Sequence, residues 1–277
     1  MRWRRLTRNR LSFVALCVIL AVTLASLLAP WLAPYDPDNP DAEASLVSVS
    51  LRHPLGTDAY GRDQLSRLIH AGRVDLLVAL SATAIALTLG SALGAAAGYR
   101  GGWVDQLVMR GVDAVMAFPA FILAMAITAA LGNSITNVVA AIAITHVPIY
   151  TRLIRGEMLR VRETEYAEAA RTVGNRPHQI VLYHLLPNCV TPLVVQATLA
   201  MGFAILTVAA LSFIGLGIQP PQSEWGQMTA EGAGYVVSGE WWLVLFPGFA
   251  IMLTVLAFNL VGDTLRDLLD PRMRGVR

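Results

Sequence analysis

The chain has 277 residues, 55% of them hydrophobic and only 14% charged, with a mean hydropathy of +0.56 and a formal net charge of +2. Soluble globular chains carry about a quarter charged residues, so this composition excludes that class and indicates a membrane protein. The small net charge gives no reason to expect a nucleic-acid partner. Two cysteines, Cys17 and Cys189, sit in or beside apolar runs and offer neither a disulfide framework nor a metal pattern.

The N-terminal stretch MRWRRLTRNR leads into an apolar run at 11–33. Its 23 residues, at about 1.5 Å each, reach across a hydrocarbon core of about 30 Å and exceed the h-region of a secretory signal. The run reads as an uncleaved first span. The segment 34–75 begins with the Pro- and Asp-rich PYDPDNPD, an extended link, and continues as HPLGTDAYGRD. There Gly56 and Gly61 are placed for turns, and Asp58, Arg62 and Asp63 can form a local ion-pair cluster. Leu65, Leu68, Ile69 and Gly72 follow helical spacing, which predicts an interfacial helix leading into the second span.

Further apolar runs at 76–98, 112–131, 135–151, 190–217 and 242–262 complete six predicted spans. Lipid offers no partner to free backbone groups, so an all-α bundle is expected. The domain organisation follows: a terminus and first helix at 1–33, a loop at 34–75, a five-helix core at 76–262 and a tail at 263–277. Gly90, Gly94 and Gly98 form a small-residue stripe suited to close packing within the bundle or against a second subunit. The third and fourth spans are joined only by Gly132-Asn133-Ser134 and form a tight hairpin; the fourth contains His146 and Pro148.

All 21 basic residues are Arg, and their distribution sets the orientation. Seventeen lie in the N-terminus, the 99–111 loop, the 152–189 segment and the C-terminus, against four in 34–75 and none in 218–241. The positive-inside rule then puts both termini in the cytoplasm.

The 155–188 segment interrupts the apolar pattern. It carries five Arg and four Glu before Pro177, and burying them in lipid would cost on the order of 25 kcal/mol. It reads as a cytoplasmic elbow of two short helices. Thr164 is placed as an N-cap, with Glu165 and Glu168 in or next to the first turn, where they favour the positive helix end. Gly174 is a natural C′ stop, Pro177 suits the start of a second helix and Pro187 limits its far end. Tyr166, Ala169, Ala170 and Val173 share one face, with Glu168 and Arg171 turned away. Such a face fits a groove in another protein or the chain's own bundle.

Glu168-Ala169-Ala170, then Gly174 and Leu186-Pro187, resemble the EAA motif of binding-protein-dependent ABC importer permeases. The generic pattern has Ile two residues before the Leu-Pro; this chain has His184, as is usual in the dipeptide/oligopeptide/nickel branch. HPLGTDAYGRDQLSRLI (53–69), LSFIGLGIQPPQSEWGQM (211–228) and FNLVGDTLRDLLDP (258–271) resemble the same branch. The resemblance implies a six-helix type I importer permease in a bacterial inner membrane, working with a second homologous permease, two ATPase subunits and an extracytoplasmic solute-binding protein. It implies that Tyr166, Glu168, Ala169, Ala170, Gly174, Leu186 and Pro187 form the element that engages the ATPase. Asp58, Arg62 and Asp63 become candidates for a gate surface that meets the binding protein, a structural brace being the plainer reading of each. Glu224 and Trp225 of the 218–241 loop become candidates for the outer mouth of the pathway, interfacial anchoring being the ordinary reading of a Trp there.

A chain without Lys cannot hold a P-loop, so no cofactor is expected in it, and ATP and Mg belong on the partner ATPases. The cargo is expected to be a di- or oligopeptide, with nickel or glutathione as alternatives within the branch. None of the five His forms a ligand pair at helical spacing within a span, so no metal site is expected; His146 is read as a packed or hydrogen-bonded core residue. Trp241-Trp242 suggests interfacial anchoring. A secondary carrier needs buried carboxylates in its spans and a membrane enzyme a catalytic group; the spans are nearly free of both.

Overall fold

Asp63 starts the helix around which the chain is arranged. In this computed structural model, which describes residues 10–269, its carboxylate accepts from the Ser66 N–H at 2.8 Å and caps a 37-residue helix, Gln64–Arg100. This helix absorbs both the predicted interfacial helix and the second span without a break: Leu65 to Gly72 contain no Pro, and the cap lies ahead of them at Asp63. It ends at Gly101, whose φ of 65° is followed by a second helix.

The helices are α1 (Arg10–Leu27), α2 (Gln64–Arg100), α3 (Gly102–Met116), α4 (Ala120–Leu131), α5 (Ile135–Val161), α6 (Glu165–Thr172), α7 (Val190–Phe213), α8 (Trp225–Ala233) and α9 (Trp242–Leu269), with short turns between them. Among the described residues the only extended pairing is an isolated bridge between Thr57 and Asp63. The arginines at 2, 4, 5, 8, 272, 274 and 277 and Pro271 lie outside the described residues.

The third predicted span needs correction. Residues 112–131 are not one helix: α3 and α4 meet at an angle of 86° around Ala117, Phe118 and Pro119. Pro119, at ψ 126°, has left the helical region, and its ring disfavours helical backbone at Phe118. The 12 residues of α4 span only about 18 Å, short of a hydrocarbon core of about 30 Å. Among the described residues five helices are long and apolar enough to cross a membrane, and a sixth crossing exists there only if α3 and α4 act as one bent span.

The glycine stripe packs within the bundle. A Cβ on Gly90 would stand 2.6 Å from the Tyr150 Cβ, and one on Gly98 would stand 2.7 Å from the Met158 Cβ, while Gly94 faces the Thr151 carbonyl. These contacts bring α2 and α5 backbone to backbone. A Gly94→Ile variant is expected to force the pair apart at a cost of about 1–3 kcal/mol, read as a lowered melting temperature of the detergent-purified protein. An unchanged melting temperature would show that this seam is not tightly packed.

Around the seam lie two apolar clusters. One gathers Val78, Ala82, Ile142, Ile205, Val208 and Trp225; the other gathers Tyr150, Ile154, Met158, Ala167, Ile180 and Leu185 at the elbow end. Side chains such as Leu20, Leu24, Leu89 and Phe203 remain exposed, as lipid-facing residues do.

Candidate functional site: the elbow and the loop-end seam

α5 runs ten residues past its predicted end, to Val161. Arg152, Arg155, Glu157 and Arg160 are therefore helical, and the elbow proper begins later than 155. Arg155 grips Asp105 of α3 with two hydrogen bonds, Nε–Oδ1 at 2.5 Å and Nη2–Oδ2 at 2.6 Å. Arg152 reaches Asp113 at 2.7 Å, so Asp113 is paired across helices rather than with nearby Arg110.

Thr164 takes the N-cap position of α6, with φ −86° and ψ 153°, but its hydroxyl donates back to the Val161 carbonyl at 2.6 Å and caps nothing. At the other end the expectation holds. Gly174 adopts φ +86°; its N–H donates to Arg171 O at 2.9 Å and the Asn175 N–H donates to Ala170 O at 3.2 Å. These are the two bonds of a Schellman stop. Guanidinium contacts brace the elbow, and one of them, to Gly98, ties it to α2. Arg171 donates to Arg162 O and Arg162 to Gly98 O, each at 2.8 Å, and Arg162 Nε also reaches Glu163 at 2.8 Å.

The predicted four-residue face of α6 divides. Ala170 is 6% exposed and packs with Ala167 into the elbow-end cluster. Tyr166 at 41%, Val173 at 82% and Ala169 remain exposed, as does Glu168. Ala170 thus belongs to the bundle's own core, a correction that follows from α6 packing against the Ile180–Leu185 stretch, with Ala167 and Ala170 in one cluster with Ile180 and Leu185. Pro177 does begin a second helical turn, whose backbone is held by Arg176 N–H donating to Gln179 Oε1 at 2.9 Å. Pro187 does not end it. The chain passes through a π-helical stretch, Ile180–Leu185, and a 3-10 turn, Leu186–Cys189, straight into α7, one 37-residue path from Pro177 to Phe213. The changed winding accommodates the missing N–H and the proline ring. Leu186 is half-buried and Pro187 exposed.

At the opposite end, residues 53–67 fold against α8. Asp58 is the hub: it takes Arg62 Nε at 2.7 Å and Arg67 Nη1 at 2.6 Å. Both arginines also reach Glu231 of α8, at 3.2 and 2.9 Å. Asp63 is not in this cluster; besides capping α2 it pairs with His53 at 2.9 Å. Sequence reasoning missed Arg67, Glu231 and Asp75. The spacing of Arg67, Ala71 and Asp75 on one helical face was the available signal.

Glu224 is fully buried and caps α8, accepting from the N–H groups of Gly226 at 2.7 Å and Gln227 at 2.8 Å. Burial pushes its carboxyl above the ordinary carboxylate range, partly offset by a hydrogen bond with Asp75, then by those donors and the Ser212 hydroxyl. The Trp225 N–H donates to Asp75 at 3.2 Å and its indole N–H to Leu68 O at 3.0 Å. Asp58, Arg62, Asp63, Glu224 and Trp225 are all at most 7% exposed. Side chains this buried do not present a contact surface to an arriving protein; they lock the 34–75 segment, α2 and α8 together. Trp242, expected as an interfacial anchor, is likewise buried and donates to Thr57 O at 3.2 Å across Gly56. His146 makes a hydrogen bond with Ile142 O at 2.8 Å, as expected of a core histidine.

The arrangement contains a projecting helix, a locked seam and no constellation for covalent chemistry among the residues assigned to it. Residues 90–275 match the family described as binding-protein-dependent transport system inner membrane component, and residues 1–51 match the N-terminal TM domain of oligopeptide transport permease C. A dipeptide transport system permease protein of Alkalihalophilus pseudofirmus is 44% identical over 274 residues, covering 98% of this chain and 89% of that protein. A probable D,D-dipeptide transport system permease protein of Escherichia coli is 44% identical over 265 residues, covering 96% and 89%. A glutathione transport system permease protein of Escherichia coli is 41% identical over 274 residues, covering 99% and 90%. With most of its length matched on a helical membrane architecture, the chain belongs to the family of inner-membrane components of binding-protein-dependent transport systems, as a permease subunit of an ABC importer.

Proposed function

We propose that this permease forms, with a second homologous permease, the path for di- or oligopeptides delivered by an extracytoplasmic binding protein, and that two partner ATPases supply the energy. The relatives that name a dipeptide cargo support the peptide reading. The glutathione permease at 41% identity supports a second reading, and glutathione is itself a small peptide-like solute. Mixed-ligand binding to the co-encoded binding protein separates them: preference for glutathione over dipeptides would displace the first reading.

The observation that carries the coupling role is α6. A short helix whose Tyr166 and Ala169, with Val173 just past its end, stay exposed is seated on the bundle by Ala167 and Ala170 and fixed by a Schellman stop and arginine contacts. A motion imposed on it passes directly into α5 and, through residues 177–189, into α7. The buried seam formed by Asp58, Arg62, Asp63, Glu224 and Trp225 acts as the brace of the outer gate, tying the loop segment to α8.

In this reading α3 and α4 form one bent span, the elbow and both termini are cytoplasmic, and 34–75 and 218–241 are outside. The arginine distribution supports it. Single cysteines replacing Ser45, Thr164 and Ser238 in a Cys-free background are expected to react with an impermeant thiol reagent in intact cells at Ser45 and Ser238 only. Labelling of Thr164→Cys would invert the topology. Purified alone, the chain is expected to hydrolyse no ATP, since it has no Lys to build a P-loop.

A further inference from the structure

A groove of about 690 Å³ runs along α2 beside the segment that links the elbow to α7. One wall is Leu87, Ala92, Ala96 and their neighbours on α2; the other is Val181, Leu186 and Leu193. Two features of this groove specify its occupant. First, its wall is apolar apart from the hydroxyls of Thr88 and Ser91 until its end, where Tyr99, Arg100 and His178 line it together. No Asp or Glu lines it, and neither Arg100 nor His178 has an ion pair among the described residues. Second, its length is set. Leu87 lies thirteen residues before Arg100, about 20 Å along the helix, a length that matches one leaflet's hydrocarbon, about 15 Å deep, plus a headgroup.

An apolar slot of leaflet length with an acid-free cationic mouth is complementary to an amphiphile with an anionic head. We propose that the groove holds an acyl chain of an anionic phospholipid of the inner leaflet, with the headgroup phosphate against Arg100 and His178. The leaflet assignment rests on the orientation proposed above; the occupancy does not. Because His178 and Pro177 belong to the elbow, the lipid would sit between the membrane and the coupling element. The guanidinium supplies the headgroup selectivity. One Arg near an anionic surface contributes about a fivefold preference.

The test uses the assembled transporter, purified in mild detergent, equilibrated with equal amounts of phosphatidylglycerol and phosphatidylethanolamine, and read by native mass spectrometry. Phosphatidylglycerol is expected to be retained in about fivefold excess. Arg100→Gln should remove that preference, and millimolar inorganic phosphate should not displace the lipid. Ala96→Trp, at an exposed position on the groove wall, should lower retention of both lipids. Wild-type retention in both variants would overturn the proposal. So would cross-linking of an Ala96→Cys variant to the second permease in native membranes, which would make the groove a subunit interface. Lipid retention is read without transport or ATPase association, so its failure would leave the coupling reading untouched.

Discussion

An Ala169→Asp variant is expected to insert at normal levels, lose its ATPase subunits on purification and abolish solute uptake. Ala169 is exposed, so the new carboxylate costs the isolated subunit little. On docking it would be desolvated without a partner, at about 3 kcal/mol or more, which weakens association by over a hundredfold. Ala170→Asp provides the contrast. Its neighbour position is buried in the elbow-end cluster, so the expected defect there is in folding and membrane yield. Gly174→Val meets no neighbouring atom at its Cβ, yet its φ of +86° imposes about 1–3 kcal/mol of backbone strain. That variant should weaken ATPase association with little change in membrane yield. The measurement is co-purified ATPase per permease, alongside uptake. Full association and transport by both Ala169→Asp and Gly174→Val would mean that α6 is a surface loop without a coupling role.

The second large effect is expected at the loop-end seam. Asp58 is 5% exposed and accepts from two arginines that are themselves 7% and 1% exposed. Replacing it with Ala leaves both guanidinium groups buried, with Glu231 as their shared carboxylate and the Ser223 hydroxyl on Arg67. Breaking a buried ionic network at one member costs about 3–5 kcal/mol. Asp58→Ala should therefore show a sharply lowered melting temperature and release the 34–75 segment to protease, with elbow-end contacts retained. Arg73→Gln, an exposed charge on the same helix, should stay within about 0.5 kcal/mol of wild type. Equal melting temperatures for the two variants would show that the network is not a brace.

The identity of most membrane helices was legible in the sequence because crossing a bilayer is a local requirement: about twenty apolar residues in a row, whatever their neighbours do. α1, α2, α5, α7 and α9 all answer to that rule. Local chemistry also fixed Gly174, where a left-handed residue after a short polar helix left little other choice. The same locality explains where the reading failed. Hydropathy has no direction, so the 112–131 run concealed the 86° bend at Pro119. Proline was read as a stop at 187, but the π and 3-10 winding around it keeps the path continuous. Which way an alanine faces on α6 depends on the Ile180–Leu185 stretch that returns to pack against it.

The loop-end seam shows the limit most clearly. Asp58 and Arg62 are four residues apart, and their pairing could be read from spacing alone. Glu231 joins them from 164 residues beyond Arg67, and Trp225 reaches Asp75 across 150 residues. No local pattern encodes such contacts, because they exist only after α8 has folded back against α2. The sequence by itself determined the solvent this protein lives in, its helices and the polar elbow that cannot enter lipid, since each follows from the transfer energy of a contiguous segment. Only the tertiary structure decided which charges are buried together, which face of the elbow is free and which prolines bend the chain, since those depend on what stands opposite.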